Sequence, residues 1–373
     1  MKFQKASIAL LITASASAVC NANEQTSNND MPSFESLPTH MQMFINLGSA
    51  GLLTELASFE NMSVTQGRLG NSRSQVEFAR ASTITTGYKD STDVFVLPLD
   101  AFYALPSKQG KALIRAGAIF GDYDSDKGDL TEVDTQLARA ELQYFVSPDI
   151  NTLLGAGAYY ESSEADLQHL NGSLDRAGFG IRADALRKFS PHWGVAARLD
   201  YNIATNETSV PVGPGTTLSY DLDDTRLYVQ TDFVGTYGKN TMGFLPEQWI
   251  FRPAFGALYQ RTNYDTTTTS LGSTVTGTAG KSEEYSMASL SVRLESIAFG
   301  RGVIAPHIEV GLEHELKNDV NDYVDDANIV HLDIGASMNV SRAARLDVIY
   351  SQHDGTDDLR SDKAITLHLG MAL

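Results

Sequence analysis

The chain has 373 residues, a formal net charge of −18 at pH 7 and one cysteine. Such acidity excludes nucleic acid as a natural partner. With 42% hydrophobic residues and only 11 prolines, the composition is not that of a disordered chain.

The first stretch, "MKFQKASIALLITASASAVCNA", places Lys2 and Lys5 before an apolar run and ends on small residues. It reads as a secretory signal peptide covering residues 1–22. Cleavage after Ala22 removes Cys20, so neither disulfides nor thiol catalysis are expected. A lipid-anchored Cys20 fits less well, because Ser17 and Val19 stand where that signal places Leu and a small residue. No later segment holds 18 apolar residues in a row, so no transmembrane helix is expected.

Residues 23–110 read as a polar segment, a helix and a linker. Met41, Phe44, Ile45, Leu52, Leu53, Leu56 and Phe59 lie near one face of a helix over residues 39–60. That helix would sit in the lumen of the domain that follows, or at its mouth. Residues 73–88 and 93–105 are β-rich and are two candidate extra strands.

From Lys111 the dominant signal is alternation. Trp193, Val195, Ala197, Leu199, Tyr201 and Ile203 alternate with Gly194, Ala196, Arg198, Asp200, Asn202 and Ala204. Successive strand side chains point to opposite faces. The ionic set therefore faces one way and the apolar set the other. The same arrangement recurs at Arg139-x-Glu141, Arg182-x-Asp184, Arg293-x-Glu295 and Arg345-x-Asp347. It runs for about ten residues at a time, enough for a tilted strand to cross a bilayer.

Connections alternate in length. Long acidic ones are expected near 121–134, 161–175, 204–224, 262–284, 313–327 and 353–362. Shorter turns such as Ser147-Pro148-Asp149 and Ser190-Pro191-His192 lie between them. The pattern predicts an all-β fold: a transmembrane antiparallel up-and-down β-barrel of 12 strands over residues 111–373, or 14 if both extra segments join. Long connections would lie outside the cell and short turns in the periplasm. Tyr144, Tyr159, Tyr160, Trp193, Trp249 and Tyr350 are expected in the interfacial girdles. Arg139, Glu141, Arg182, Asp184, Arg198, Asp200, Arg293, Glu295, Arg345 and Asp347 are expected to line the lumen as pairs.

With those segments in view, "KALIRAGAIFGDYDSD", "ARAELQYFVSPDINTLLGAGAYY", "RAGFGIRADALRKFSPHWGVAARLDYN" and "FLPEQWIFRPAFGALYQ" resemble the translocator barrel of autotransporters. The resemblance covers residues 111–373. It implies twelve strands with a short helix inside the barrel and residence in the outer membrane of a Gram-negative cell. The segment between Ala22 and Lys111 is too short for the long β-helical passenger of that family, so the expectation is a solitary, porin-like barrel. It would act as a pore or as a scaffold for acidic loops. The last strand, "AITLHLGMAL", resembles the signal read by the β-barrel assembly machinery, although Leu373 replaces the family's usual Phe.

Chemistry beyond that is sparse. Asp122, Asp124 and Asp126 have the spacing of the first three ligands of a calcium loop, but Gly128 falls one place late and Val133 replaces the closing Glu. Loose binding of Ca²⁺ or Mg²⁺ among carboxylates near lipopolysaccharide is the fuller expectation. His331-x-Asp333 and His307-x-Glu309 are candidate acid–base pairs for an outer-membrane hydrolase, with Ser337 on the face of the first. No nucleophile motif surrounds Ser337, so no catalysis and no cofactor are expected. The expected partners are outer-membrane lipid, lipopolysaccharide, the assembly machinery and divalent cations.

Overall fold

The computed structural model describes residues 90–105, 112–126, 132–149, 151–167, 171–190, 192–276, 282–296, 302–319, 327–341, 344–357 and 360–372. The expected signal peptide, the helix at 39–60 and the strand at 73–88 lie outside these residues. Among the described residues there are sixteen strands: β1 Asp90–Ala104, β2 Ala112–Asp126, β3 Glu132–Asp149, β4 Thr152–Leu167, β5 Gly172–Lys188, β6 Trp193–Gly213, β7 Thr216–Gly235, β8 Tyr237–Gly238, β9 Trp249–Tyr264, β10 Thr266–Thr268, β11 Thr274–Thr276, β12 Ser282–Ser296, β13 Ile304–Asn318, β14 Asn328–Asn339, β15 Ala344–Gly355 and β16 Arg360–Ala372.

Thirteen of them close a ring. Consecutive strands from β1 to β7 pair antiparallel, β7 pairs with β9, β9 with β12, and β12 continues in order to β16. The ring shuts where β16 pairs in parallel with β1, with Asp90 beside Arg360 and Phe102 beside Ala372. β8 is a two-residue addition to β9, and β10–β11 is a separate small hairpin.

Among the described residues the ring therefore has 13 strands, neither the 12 nor the 14 expected. The twelve expected strands are β2 to β7, β9 and β12 to β16, and "DVFVLPLDAFYA" adds a thirteenth. The sheet begins at Asp90 rather than at 111. The reason is chemical. Phe95, Leu97 and Leu99 alternate with Val96, Pro98 and Asp100, so β1 has an apolar outer face. It fills the gap between β2 and β16, whose edges would otherwise expose unbonded backbone to hydrocarbon.

The pleat sets an inverted interior. On β6, Leu199 and Ile203 are 48% and 58% exposed, whereas Arg198 and Asp200 on either side of Leu199 are 3% and 1% exposed. The outward apolar stretch of β6 runs from Trp193 to Ile203. It matches the roughly 9–11 residues a tilted strand needs to cross hydrocarbon. Phe179 and Ile181 on β5 and Val310 and Leu312 on β13 extend the same outer band.

The strands do not stop at the edge of that band. β6 and β7 continue to Gly213 and from Thr216, joined by a tight turn in which Gly215 has φ +75°. The long connection expected at 204–224 is mostly paired strand. Much of 121–134 and 161–175 is strand as well. Above the band the alternation reverses, with Leu174, Val210, Tyr220 and Leu222 buried and polar side chains outside, and the backbones keep pairing.

An outward-facing cation should test the band. Leu199→Arg is expected to lower stability in lipid by about 2–4 kcal/mol, the cost near the bilayer midplane. Thr205→Arg, on the same face above the apolar stretch, should cost about 0–1 kcal/mol. Refolding into vesicles along a urea series, followed by heat-modifiable gel migration, measures both. Equal effects would refute the assigned face.

Candidate functional site: the lumenal wall and the acidic rim

The pleat that turns Leu199 outward turns ionic side chains inward, where they meet one another across strands. Arg115 on β2 reaches Asp100 on β1 at 2.7 Å and Glu141 on β3 at 2.7 Å, and also bonds Gln143. Glu141 is shared with Arg139 at 2.6 Å and with Arg182 on β5 at 2.9 Å. Asp184 takes Arg182 at 2.7 Å and Arg198 on β6 at 3.0 Å. Arg139 also approaches Asp200 at 3.4 Å and lies 3.5 Å over the Tyr159 ring. Glu161 on β4 pairs with Arg176, and with Arg226 on β7 at 2.8 Å. β3 is not a sheet neighbour of β6, nor β4 of β7, so these contacts bridge over two intervening strands on the lumenal side of the wall.

The network also crosses the parallel seam. Arg345 meets Asp347 at 2.9 Å, Asp347 meets His368 on β16 at 3.2 Å, and His368 meets Asp100 on β1 at 3.0 Å. From Asp100 it continues into Arg115. Farther round, Glu295 joins Arg252 at 2.6 Å and Arg293 at 3.0 Å. Every one of the ten lumen charges read from the sequence stands on the inner face. Sequence alone missed the partners Asp100, Arg115, Glu161, Arg176 and Arg226. Arg115 and Arg176 lacked the Arg-x-acid signature, and Asp100 lay in a segment left outside the barrel.

Tyr159 is a correction. It is 3% exposed and faces the lumen instead of a girdle. Its ring lies where a side chain on Gly180 of β5 would collide with it. Gly180 therefore makes the space that lets Tyr159 and Arg139 stack. Trp193 and Trp249 begin β6 and β9 at the short-turn end, and Tyr144 is exposed on the outer face.

The calcium-loop reading of Asp122, Asp124 and Asp126 does not suit the backbone. All three belong to extended β2, where alternate residues stand about 6–7 Å apart and cannot curl round one ion. Asp122 and Asp124 point outward. Above the apolar band, Asp93, Asp124, Asp134 and Asp166 follow one another laterally across β1 to β4. Glu164, Asp175, Glu207 and Asp221 form a second row across β4 to β7. Burial, and then the charges of Glu164, Glu207 and Asp166, push the Asp175 carboxyl above its ordinary range. At the opposite flank, Lys317 bonds Glu284 at 2.7 Å, and that bond holds the Glu284 carboxyl below its usual range. Both groups are exposed, so the pair contributes little.

The serine–histidine reading does not assemble. Ser337 and His331 lie six residues apart on one extended strand, roughly 20 Å at strand rise. Ser337 instead accepts a hydrogen bond from Arg345 at 2.7 Å. His331 meets Glu313 at 2.9 Å and stacks on His353, with ring centroids 5.4 Å apart. Glu313 and His353 were not singled out by sequence, because their spacing along the chain spans three strands.

The family model described as "Autotransporter beta-domain" matches residues 113–348. No curated protein sequence matches the chain. The translocator domain of the autotransporter NalP from Neisseria meningitidis is similar in fold, with TM-score 0.50 and 11% identity over 83% of this chain and 94% of that one. The beta domain of the Bordetella autotransporter BrkA gives TM-score 0.47 and 15% identity over 69% and 95%. The transport unit of AIDA-I from Escherichia coli gives 0.42 and 13% over 66% and 84%.

Two substitutions test the charges. Glu141→Ala leaves Arg115, Arg139 and Arg182 short of a buried counter-charge, so it should cost about 3–5 kcal/mol. Tryptophan fluorescence along a urea series in vesicles reads the loss. Asp175→Asn should act oppositely and weakly. A raised carboxyl pKa means that the folded state holds the proton more tightly, so stability is lost as pH rises through that pKa. The Asn variant should therefore be more stable than wild type at neutral pH, by roughly a few tenths of a kcal/mol after solvent screening. The gain should vanish in acid.

Proposed function

Because the chain belongs to the autotransporter beta-domain family, we propose that it resides in the outer membrane as a translocator-type barrel whose lumen is closed by its own ion-paired wall. It then works as a rigid scaffold with an acidic rim rather than as an open pore. The observation that carries this reading is the set of buried ion pairs that bridge over intervening strands on the lumenal side. Arg139 with Asp200 and Arg226 with Glu161 join strands that are not neighbours. Arg115, Arg182, Arg198, Glu141 and Asp184 are all under 9% exposed. A water-filled channel would leave such side chains solvated.

On this reading the long-connection end faces the cell exterior. The two carboxylate rows then stand at the level of lipopolysaccharide phosphates, with Ca²⁺ or Mg²⁺ loosely shared between them. Outer-membrane lipid covers the apolar band. The C-terminal strand, with Ile365, Leu367, Leu369 and Met371 on one face, is the element offered to the assembly machinery. We also propose that the barrel is not a hydrolase. The separation of Ser337 from His331 supports that, since a nucleophile and its base must lie within hydrogen-bond reach.

Planar-bilayer recording tests the scaffold reading. Wild-type protein should give no steady open-channel current. Arg139→Ala combined with Arg226→Ala should raise the current by removing two side chains that bridge over intervening strands on the lumenal side. A steady ohmic current from the wild type, unchanged in the double variant, would overturn the reading.

A further inference from the structure

We propose that Glu313, His331 and His353 form a lumenal binding site for a divalent transition-metal ion of the Zn²⁺ class. Among the described residues, one ligand atom from each of the three converges with the others within 4.8 Å, and all three residues are buried. The local backbone builds this arrangement. His331 on β14 and His353 on β15 are directly opposed in register, and Gly311 on β13 is opposed to His331 on the other side. A side chain at Gly311 would overlap the His331 ring. The glycine therefore lets the imidazole lie across β13, toward Glu313 two residues further on.

The contacts within the group are close and buried, but not all of them are directed as hydrogen bonds. His331 Nδ1 is 2.9 Å from Glu313 Oε1, and His353 Nδ1 is 3.4 Å from Glu313 Oε2. Yet neither nitrogen of His331, nor Glu313 Oε1, has a hydrogen bond of acceptable geometry, although His331 is only 2% exposed. Zinc bonds of about 2.0–2.2 Å to N and O in a tetrahedron set ligand atoms roughly 3.3 Å apart, within the span observed here. The donor set of two imidazoles and one carboxylate is one that Zn²⁺ takes with a fourth position open.

The surroundings agree. The second ring nitrogen of His331 lies 3.7 Å from Glu309, which in turn lies 3.6 Å from Arg293. A cavity of about 20 Å³, lined by His331, Glu313, Gln230, Asp232, Ser289 and Glu309, adjoins the group. It has room for about one water molecule beside Glu313 and His331. Charge points the same way. Glu141, Glu161 and Asp184 each have arginine partners. The ionic partners of Glu313 are the two imidazoles, and Glu309 and Asp333 face each other in register beside it.

The test uses the full chain folded in detergent, stripped with a chelator and dialysed against excess Mg²⁺ to occupy the acidic rim. Addition of Zn²⁺ should leave one ion per chain after gel filtration. Co²⁺ in its place should give visible d–d absorption of a four- or five-coordinate N/O site. His331→Gln with His353→Gln should weaken retention by more than the roughly 10–100-fold that loss of an outer-shell partner costs. Heat-modifiable migration should be unchanged. Should that variant not fold, the histidine imidazole NMR signals of the wild type decide the matter: two rings must shift with one equivalent of Zn²⁺. Equal Zn²⁺ retention by wild type and variant, or a wild type whose imidazole signals ignore Zn²⁺, would overturn the assignment.

Discussion

Hydrocarbon offers no partner to a backbone N–H or C=O, and that constraint organises everything else in this molecule. A sheet in lipid must close on itself. Here the closure uses an odd strand. Once β1 joins β2 in antiparallel fashion, β1 and β16 run the same way, and the last pairing has to be parallel. Parallel pairs are slightly less stable per residue. The seam is also where the ionic network crosses from one end of the chain to the other, through His368, Asp100 and Arg115. Side-chain pairing thus reinforces the ring at its least favourable junction.

Closure decides the side-chain chemistry as well. With lipid outside, apolar residues go outward, and each strand's second face is forced into the lumen. Charges placed there are tolerable only when paired and hydrogen-bonded. The wall meets this condition in two ways. From β1 to β7, arginines and carboxylates interlock, with single residues such as Glu141 serving three partners. From β13 to β15, histidines replace arginines and carboxylates outnumber fixed cations. That second region has small side chains or glycine beneath the rings, as at Gly311 and Gly335. It is therefore the part of the wall with both the donors and the room for an ion.

Sequence made the membrane-crossing parts legible because two chemistries alternate there with period two. Residues 193–204 show it plainly, and so do the Arg-x-Asp pairs. Legibility weakened where the alternation changed sense. Above Thr205, Val210, Leu218, Tyr220 and Leu222 turn inward while polar side chains turn outward, so the pattern of a lipid-facing strand is lost, although the backbone pairs as far as the turn at 214–215. β1 was visible as a β-rich stretch, but nothing local reveals a parallel partner 270 residues away, as Asp100 beside Gly370 illustrates. The site residues divide in the same way. Charges two apart on one strand were found. Glu313, His331 and His353, which meet only across three strands, were found in part.

The upward extension of the strands changes what the rim is. A flexible loop can let like charges drift apart, whereas a paired ladder cannot. Directly opposed carboxylates on neighbouring strands repel, and Asp93, Asp124, Asp134 and Asp166 are held in one such row. Backbone hydrogen bonds keep the row in place against that repulsion; in the adjoining row, burial first and then the charges of Glu164, Glu207 and Asp166 raise the Asp175 pKa. A surface that concentrates fixed negative charge in this way draws mobile cations to itself. Lumen and rim are thus opposite solutions to one problem. Inside the wall, carboxylates such as Glu141, Glu161 and Asp184 are answered by neighbouring arginines. At the rim, repulsion is left standing in the ladder, and the compensating charge has to come from solution.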